Sequence, residues 1–553
     1  MKIEVTVKGE KLSFEKGTTY REIYEKVKDN YKYPVLVGKV GNTLREMSAK
    51  AKDGEEIEFF DYTDEDASRV YKRGLSLVMI KAVRDVLGKE AKVYIGHSIK
   101  KNYYCEIKNG DFINDIETLK KIEQRMREIV EADILFKKEV FSKSEAKEIT
   151  RENGMDDKTR LFRYRLSSSV NMYSLDGFYD YFYGYMPYST DCLKYFGLTP
   201  CERGFLILFP EKKEPDKIIP YVHPQKISDV FMELLEWNAL MGVNNVADLN
   251  DSIVDGRFGD LVRINEALHE KKIAYIADMI AKKRDKIKMV LIAGPSSSGK
   301  TTFAQRLCIQ LRVNGITPHV IGLDDYFIDR EKTPKDEFGK YDFENINTLD
   351  TKQFNEDMTR LIAGETVEMP SYNFVSGKRE YKGNFKTLKD GEIFIIEGIH
   401  GLNDVLTESI PAENKFRIFI SALTQLNIDD HNRISTSDSR LIRRIIRDSQ
   451  FRGNDAAETI DTWPYVKRGE ERNIFPFQEN ADVVFNSATV YELAVLKTHA
   501  MPLLYKITPD QPEYVTAKRL IKFLGYFLNA DGKDVPSNSI VQEFLGGSVF
   551  DVG

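Results

Sequence analysis

One run restricts this chain more than any other: Gly294-Pro295-Ser296-Ser297-Ser298-Gly299-Lys300-Thr301 fits G-x-x-x-x-G-K-[ST] in full. Such a turn gathers backbone N–H groups onto phosphate oxygens where a strand feeds it and a helix leaves it. The flanks supply both. Ile287, Met289, Val290, Leu291, Ile292 and Ala293 read as a buried strand, and Phe303, Leu307, Cys308 and Leu311 recur at helical spacing before an Asn314-Gly315 stop. Gly294 and Gly299 let the backbone turn. Ser296, Ser297, Ser298 and Thr302 extend the set that would line a nucleotide, Lys300 brings a point charge to its outer phosphates, and Thr301 offers a hydroxyl to an accompanying Mg²⁺. The plain alternative is a Ser/Gly-rich surface turn.

The residues after the loop decide between hydrolysis and transfer. A second apolar strand, His319-Val320-Ile321-Gly322-Leu323, runs into Asp324-Asp325-Tyr326-Phe327, placing a carboxylate where a parallel sheet opens onto its ligand crevice. Asp324 there can serve as base for an acceptor hydroxyl. Asp325 assists it or caps a turn. A third strand, Ile393-Phe394-Ile395-Ile396, ends at Glu397, placed to influence Mg²⁺ directly or through water. His400, close behind, either touches phosphate or is structural. Arg440, Arg443, Arg444, Arg447 and Arg452 follow on an expected helix. They read either as a lid that neutralises charge on a transferred phosphoryl group, or as a solvated face paired with Asp438 and Asp448.

At 553 residues the chain is too long for one core, and its net charge of -6 carries no global nucleic-acid or membrane footprint. Cys105, Cys192, Cys201 and Cys308 have no paired short spacing, and no apolar run approaches membrane-spanning length, so the expectation is a cytoplasmic protein with no membrane partner. We read a β-grasp unit over 1–62, an α+β region over 63–225, a helical connector over 226–285, a parallel-sheet core over 286–487 and a helical extension over 488–553. Leu261, Ile264, Leu268, Ile276 and Ile280 mark the connector's expected buried face. The run Gly177-Phe178-Tyr179-Asp180-Tyr181-Phe182-Tyr183-Gly184-Tyr185 is expected to pack in a core or domain interface, with base stacking as the alternative. Trp463 anchors a hydrophobic contact or packs on substrate.

From about 287 to 487 the chain resembles the uridine kinases, grouped with phosphoribulokinases and pantothenate kinases. The resemblance rests on GPSSSGKTT at 294–302, LDDYF at 323–327, YDFEN at 341–345, PSYNF at 370–374, IIEGIHG at 395–401, RRIIRDSQFRG at 443–453 and ADVVFNS at 481–487. It implies transfer of the γ-phosphate of ATP or GTP to a nucleoside 5′-hydroxyl. It also implies Asp324 as general base, Glu344 gripping the ribose hydroxyls with Arg444 as its partner, and Tyr372 on the base. Arg447 and Arg452 become lid residues on the phosphates, and Glu397 the carboxylate near the metal. Two positions depart: Gly377 stands where pyrimidine-specific members carry a base-reading histidine, and Asn454 where they carry a further lid arginine.

Residues 1–62 resemble a TGS domain, and 63–225 is similar to the second N-terminal domain of threonyl-tRNA synthetase, without the H-x-x-x-H pair of the editing versions and with no histidine close in sequence to Cys192 or Cys201. That front half motivates a second expectation, a nucleotide-gated RNA- or ribosome-binding regulator. A third keeps the kinase but gives it another small polyol or sugar as acceptor. A homo-oligomer is also expected.

Overall fold

The computed structural model describes residues 1–108, 115–335, 339, 341–424 and 426–552. Five strands form a wholly parallel sheet in the spatial order Thr317–Gly322, Glu392–Glu397, Met289–Ala293, Lys415–Ser421, Val483–Asn486. The strand feeding the phosphate loop lies in the middle, with all five residues buried. Its pleat sends alternate side chains to opposite faces. Val290 and Ile292 join a core with Phe303 and Leu307 of the Lys300–Val313 helix. Met289 and Leu291 join another with Phe354 and Met358 of the Thr351–Ile362 helix. Cover on both faces explains why this strand reads as an unbroken apolar run.

The first of these cores extends beyond the sheet. Ile273, Ile276 and Ile280 of the Phe258–Ala281 helix belong to it, as do Leu493, Leu520, Phe523, Ile540 and Phe544 near the C-terminus. The connector's buried face differs from the expected one, since Ile264 is exposed and Asn265, Glu266 and His269 are buried instead. The reason is a polar ladder. Asn265 Oδ1 accepts from the Val490 N–H at 2.9 Å, Glu266 Oε1 from the Tyr491 hydroxyl at 2.6 Å, and Glu266 Oε2 from Arg306 at 3.3 Å. An apolar-only pattern cannot register a face whose partners are buried hydrogen bonds.

Ahead of the core, a mixed sheet orders Glu10–Glu15, Lys2–Val7, Glu56–Asp61, Val35–Val40 and Thr43–Arg45. The helix Tyr20–Val27 buries Tyr20, Ile23, Tyr24 and Val27 against it, and Thr19 and Glu22 close its N-terminus with a capping box. Next come the long helix Glu65–Leu87, a four-stranded sheet and a three-stranded sheet. Within the aromatic run, Tyr181 is buried and hydrogen-bonded to Tyr526, and Tyr183 stands edge-on to the same ring at 6.1 Å. The run is therefore an interface with the C-terminal helices.

A buried charge cluster reinforces that junction. Lys158 Nζ lies 3.2 Å from Asp180, 3.3 Å from Asp429 and 2.8 Å from His431 Nδ1, and all are buried. Burial works against the Lys158 charge, but Asp180 and Asp429 outweigh it and hold the ammonium above its usual range. Lys158→Met would leave two buried carboxylates without their cation. We expect it to lose about 3–5 kcal/mol in guanidinium unfolding; a loss under about 1 kcal/mol would show the cluster to be dispensable.

Candidate active site

The loop geometry follows from its glycines. A Cβ on Gly294 would sit 2.0 Å from the Ile420 carbonyl oxygen, so no side chain fits. Gly299 has φ +81 and caps the following helix. Lys300 folds back over the loop, donating to the carbonyls of Gly294 at 3.1 Å and Pro295 at 3.4 Å. Burial pushes its ammonium down, opposed by Glu397, Glu543 and Asp324.

Strand register brings the strand ends that carry Glu397 and Asp324 next to each other. Glu397 pairs with Ile292 on one neighbour and Gly322 on the other, and the Leu323–Tyr326 turn follows Gly322. Glu397 accepts from the Thr301 hydroxyl at 3.0 Å. Burial raises it to about 7, with Lys300 opposing and Asp324 adding to the rise. The Asp324 side chain is exposed to solvent, yet the protein packed around it desolvates the carboxyl enough to raise it, against the pull of Lys300 and Arg452. Asp325 instead accepts from the Tyr372 N–H at 3.2 Å, which ties the Val367–Asn373 strand to this turn.

The arginine series divides in two. On the Thr436–Arg447 helix, Arg440 grips Glu470 through both carboxylate oxygens at 2.5 and 2.7 Å and donates to the Ser296 carbonyl at 3.0 Å. Arg443 pairs likewise with Glu492, at 3.1 and 2.6 Å, and donates to the Ser297 carbonyl at 3.3 Å. These two brace the loop backbone from behind. Arg444, Arg447 and Arg452 gather around buried Asp448 at 3.1, 3.0 and 3.7 Å, and Arg444 also donates to the Ser296 hydroxyl at 2.8 Å. Helical spacing alone could not separate the braces from the group around Asp448, because both have the same residue type.

Glu344 packs over Gly469, where a Cβ would lie 2.2 Å from its own. One of its carboxylate oxygens is buried without a hydrogen-bond partner. Burial and Glu470 raise it to about 7, and Arg444 and Lys300 oppose the rise. Glu344 and Arg444 thus share the cleft through charge, without a direct hydrogen bond. The Tyr372 ring stands edge-on to Phe327 at 5.5 Å and Phe374 at 5.1 Å. At Gly377 a Cβ would meet Arg330 at 2.9 Å, and the Arg330 N–H donates to the Gly377 carbonyl at 2.9 Å. Arg330 therefore fills the space beside Gly377.

His400 is buried, neither ring nitrogen is hydrogen-bonded, and burial lowers it to about 4, so its imidazole is neutral. Trp463 is buried beneath Arg440 at 5.2 Å and donates to the Ser437 hydroxyl at 3.1 Å, as a packing anchor would. Cys201, with no histidine near it in sequence, has His223 Nδ1 at 3.8 Å in the fold. Sequence reasoning missed Glu470 and Glu543, whose carboxylates accept loop N–H groups: Ser296 to Glu470 at 2.9 Å and Thr302 to Glu543 at 3.3 Å. They stand 174 and 241 residues from those partners, a separation no local pattern spans.

Residues 289–494 match the phosphoribulokinase / uridine kinase family. The uridine kinase of Deinococcus deserti is 25% identical over 205 residues, 37% of this chain and 89% of that protein. That of Ligilactobacillus salivarius is 26% identical, over 39% and 92%. Uridine-cytidine kinase 2-B of Danio rerio is 25% identical, over 35% and 71%. A structure described as a possible uridine kinase from Bacillus stearothermophilus shares 20% identity at a TM-score of 0.26, over 38% of this chain and 97% of that one. Residues 1–288 lie outside the family match. The chain is a phosphotransferase whose family likeness lies in the 289–494 segment.

Glu344 gives the site a pH signature. Its folded-state carboxyl, near 7, lies above an unfolded value of about 4.3, so the folded chain holds an extra proton across that window. Stability from this group is full below the window and lost as pH rises through about 7. The thermal midpoint should therefore fall between roughly pH 5 and 7.5, and Glu344→Gln should make the fall shallower. An identical slope in the variant would contradict the assignment.

Proposed function

We propose that this chain transfers the terminal phosphoryl group of ATP or GTP to the 5′-hydroxyl of a nucleoside, of the uridine or cytidine type. The observation that carries the reading is the position of Asp324, in the turn after the Thr317–Gly322 strand, beside the strand that ends at Glu397 and close enough for the Lys300 charge at the start of the following helix to act on it. A hydrolase needs the loop and a water. A carboxylate raised by burial and faced by the loop lysine suits an acceptor alcohol whose proton must leave as phosphorus arrives.

The residues take distinct roles. Lys300 and the loop N–H groups hold the triphosphate. Asp324 orients the hydroxyl and accepts its proton, while Glu344 and Arg444 hold the ribose. Tyr372 borders the base, with Arg330 in the position expected to read it. Arg447 and Arg452 carry positive charge to the developing metaphosphate and help to exclude water. Thr301 and Glu397 offer hard oxygen donors, and Glu397, raised by burial, has the Thr301 hydroxyl as its neighbour, which suits Mg²⁺. Bound there, Mg²⁺ would neutralise charge on the outer phosphates.

The strand and helix order of residues 2–61 supports a TGS-like unit, followed by the synthetase-like region, and neither is assigned a part in the chemistry. The four cysteines are free, which supports a reducing, cytoplasmic setting, and no helix among the described residues is long and apolar enough to cross a membrane.

The test combines a variant with an acceptor panel. Asp324→Asn should keep ATP affinity nearly unchanged and lower turnover by about 10²-fold or more. ADP release and product mass, measured over pyrimidine nucleosides, purine nucleosides and non-nucleoside alcohols, read both. Unchanged turnover would remove Asp324 from the mechanism, and phosphorylation confined to non-nucleoside alcohols would overturn the acceptor.

A further inference from the structure

The phosphate loop of this chain touches a segment that lies beyond the family match. The short helix Gln542–Leu545 brings Glu543 onto the second threonine of the loop. Glu543 Oε2 accepts from the Thr302 hydroxyl at 2.8 Å and from the Thr302 N–H at 3.3 Å. Ile540 closes over the turn itself, with its Cγ2 2.4 Å from where a Cβ on Gly299 would stand. Ser297 and Ser298 are buried here with hydroxyls that have no hydrogen-bond partner. Glu543 is close enough for its charge to act on Lys300 and Glu397.

Two carboxylates thus sit on loop N–H groups, and they differ in one respect. Glu470, on Ser296, is neutralised by the fork of Arg440 and is part of the brace. Glu543, on Thr302, has no ion-pair partner among the described residues. An N–H and a hydroxyl converging on one carboxylate oxygen is also the arrangement that receives a phosphate oxygen.

The backbone carrying Glu543 is firmly seated. Ile540, Val541 and Phe544 are fully buried, Ser539 donates to Glu266 at 2.6 Å, and Arg443 lies 4.9 Å over the Phe544 ring. Releasing the segment would expose three buried apolar side chains to water. Rotating one glutamate side chain costs far less. The wall stays, and the carboxylate is the part that can move.

We propose that Glu543 is a donor-affinity residue: its carboxylate competes with a donor phosphate for Thr302, so that nucleotide binds only by displacing it, and the returning carboxylate speeds nucleotide release. This rests on the nucleotide-binding half of the function proposed above and not on the identity of the acceptor.

Titration of the full-length chain with MgADP in a calorimeter tests it without any acceptor. Glu543→Gln keeps the side-chain length and an acceptor oxygen but removes the charge, and should bind MgADP about tenfold tighter, the effect of deleting one like charge a few ångströms from the phosphates. Glu543→Asp keeps the charge but withdraws it by one methylene, and should tighten binding by a smaller factor. Wild-type or weaker affinity in both variants, at unchanged thermal midpoints, would overturn the proposal. So would failure of both to fold, which would make Glu543 a structural cap. Tighter MgADP binding with no nucleoside phosphorylated would leave this inference standing and remove the nucleoside reading.

Discussion

The N–H groups of Ser296 and Thr302 find their partners outside the phosphate turn, and much of the surrounding structure answers that constraint. On the carbonyl side, Arg440 and Arg443 hold the oxygens of Ser296 and Ser297. On the N–H side, Glu470 and Glu543 accept from Ser296 and Thr302. Each arginine is itself fixed by a two-pronged carboxylate, which converts two long side chains into rigid struts. Breaking either pair would leave a buried charge beside the loop, so the loop's shape and the packing behind it stand or fall together.

The cleft in front of the loop is electrostatically tense. Burial raises Asp324, Glu344 and Glu397 while it lowers Lys300, Arg444 and Arg452. Opposite charges across the cleft moderate these shifts without cancelling them. A polyphosphate with a hard dication brings the charges that such a set can receive, and a carboxylate raised within it makes a better proton acceptor than one in water.

The front half is joined to this machinery by packing and by charge. Lys158, Asp180, Asp429 and His431 lock together segments far apart in the chain, and Tyr181 and Tyr183 meet Tyr526 beside them. The C-terminal extension shares a core with the sheet and continues as far as the loop. A sequence match confined to 289–494 therefore covers the phosphate loop but not everything that touches it.

The amino-acid sequence alone determined the strand, turn and helix around Gly294–Thr301, the carboxylates at the next two strand ends, and the apolar faces of the helices at Tyr20 and Phe303. Those features are local: chain stereochemistry and side-chain periodicity produce them over a few residues. Only the tertiary structure decided which arginines brace the loop and which gather around Asp448, that Arg330 fills the space beside Gly377, and that Glu470 and Glu543 reach the loop N–H groups. It also decided that the connector helix buries Asn265, Glu266 and His269 where an apolar face would have been expected. Each of these depends on a partner brought from far along the chain, and a buried polar group gains its meaning from that partner, whereas an apolar one needs only to leave water.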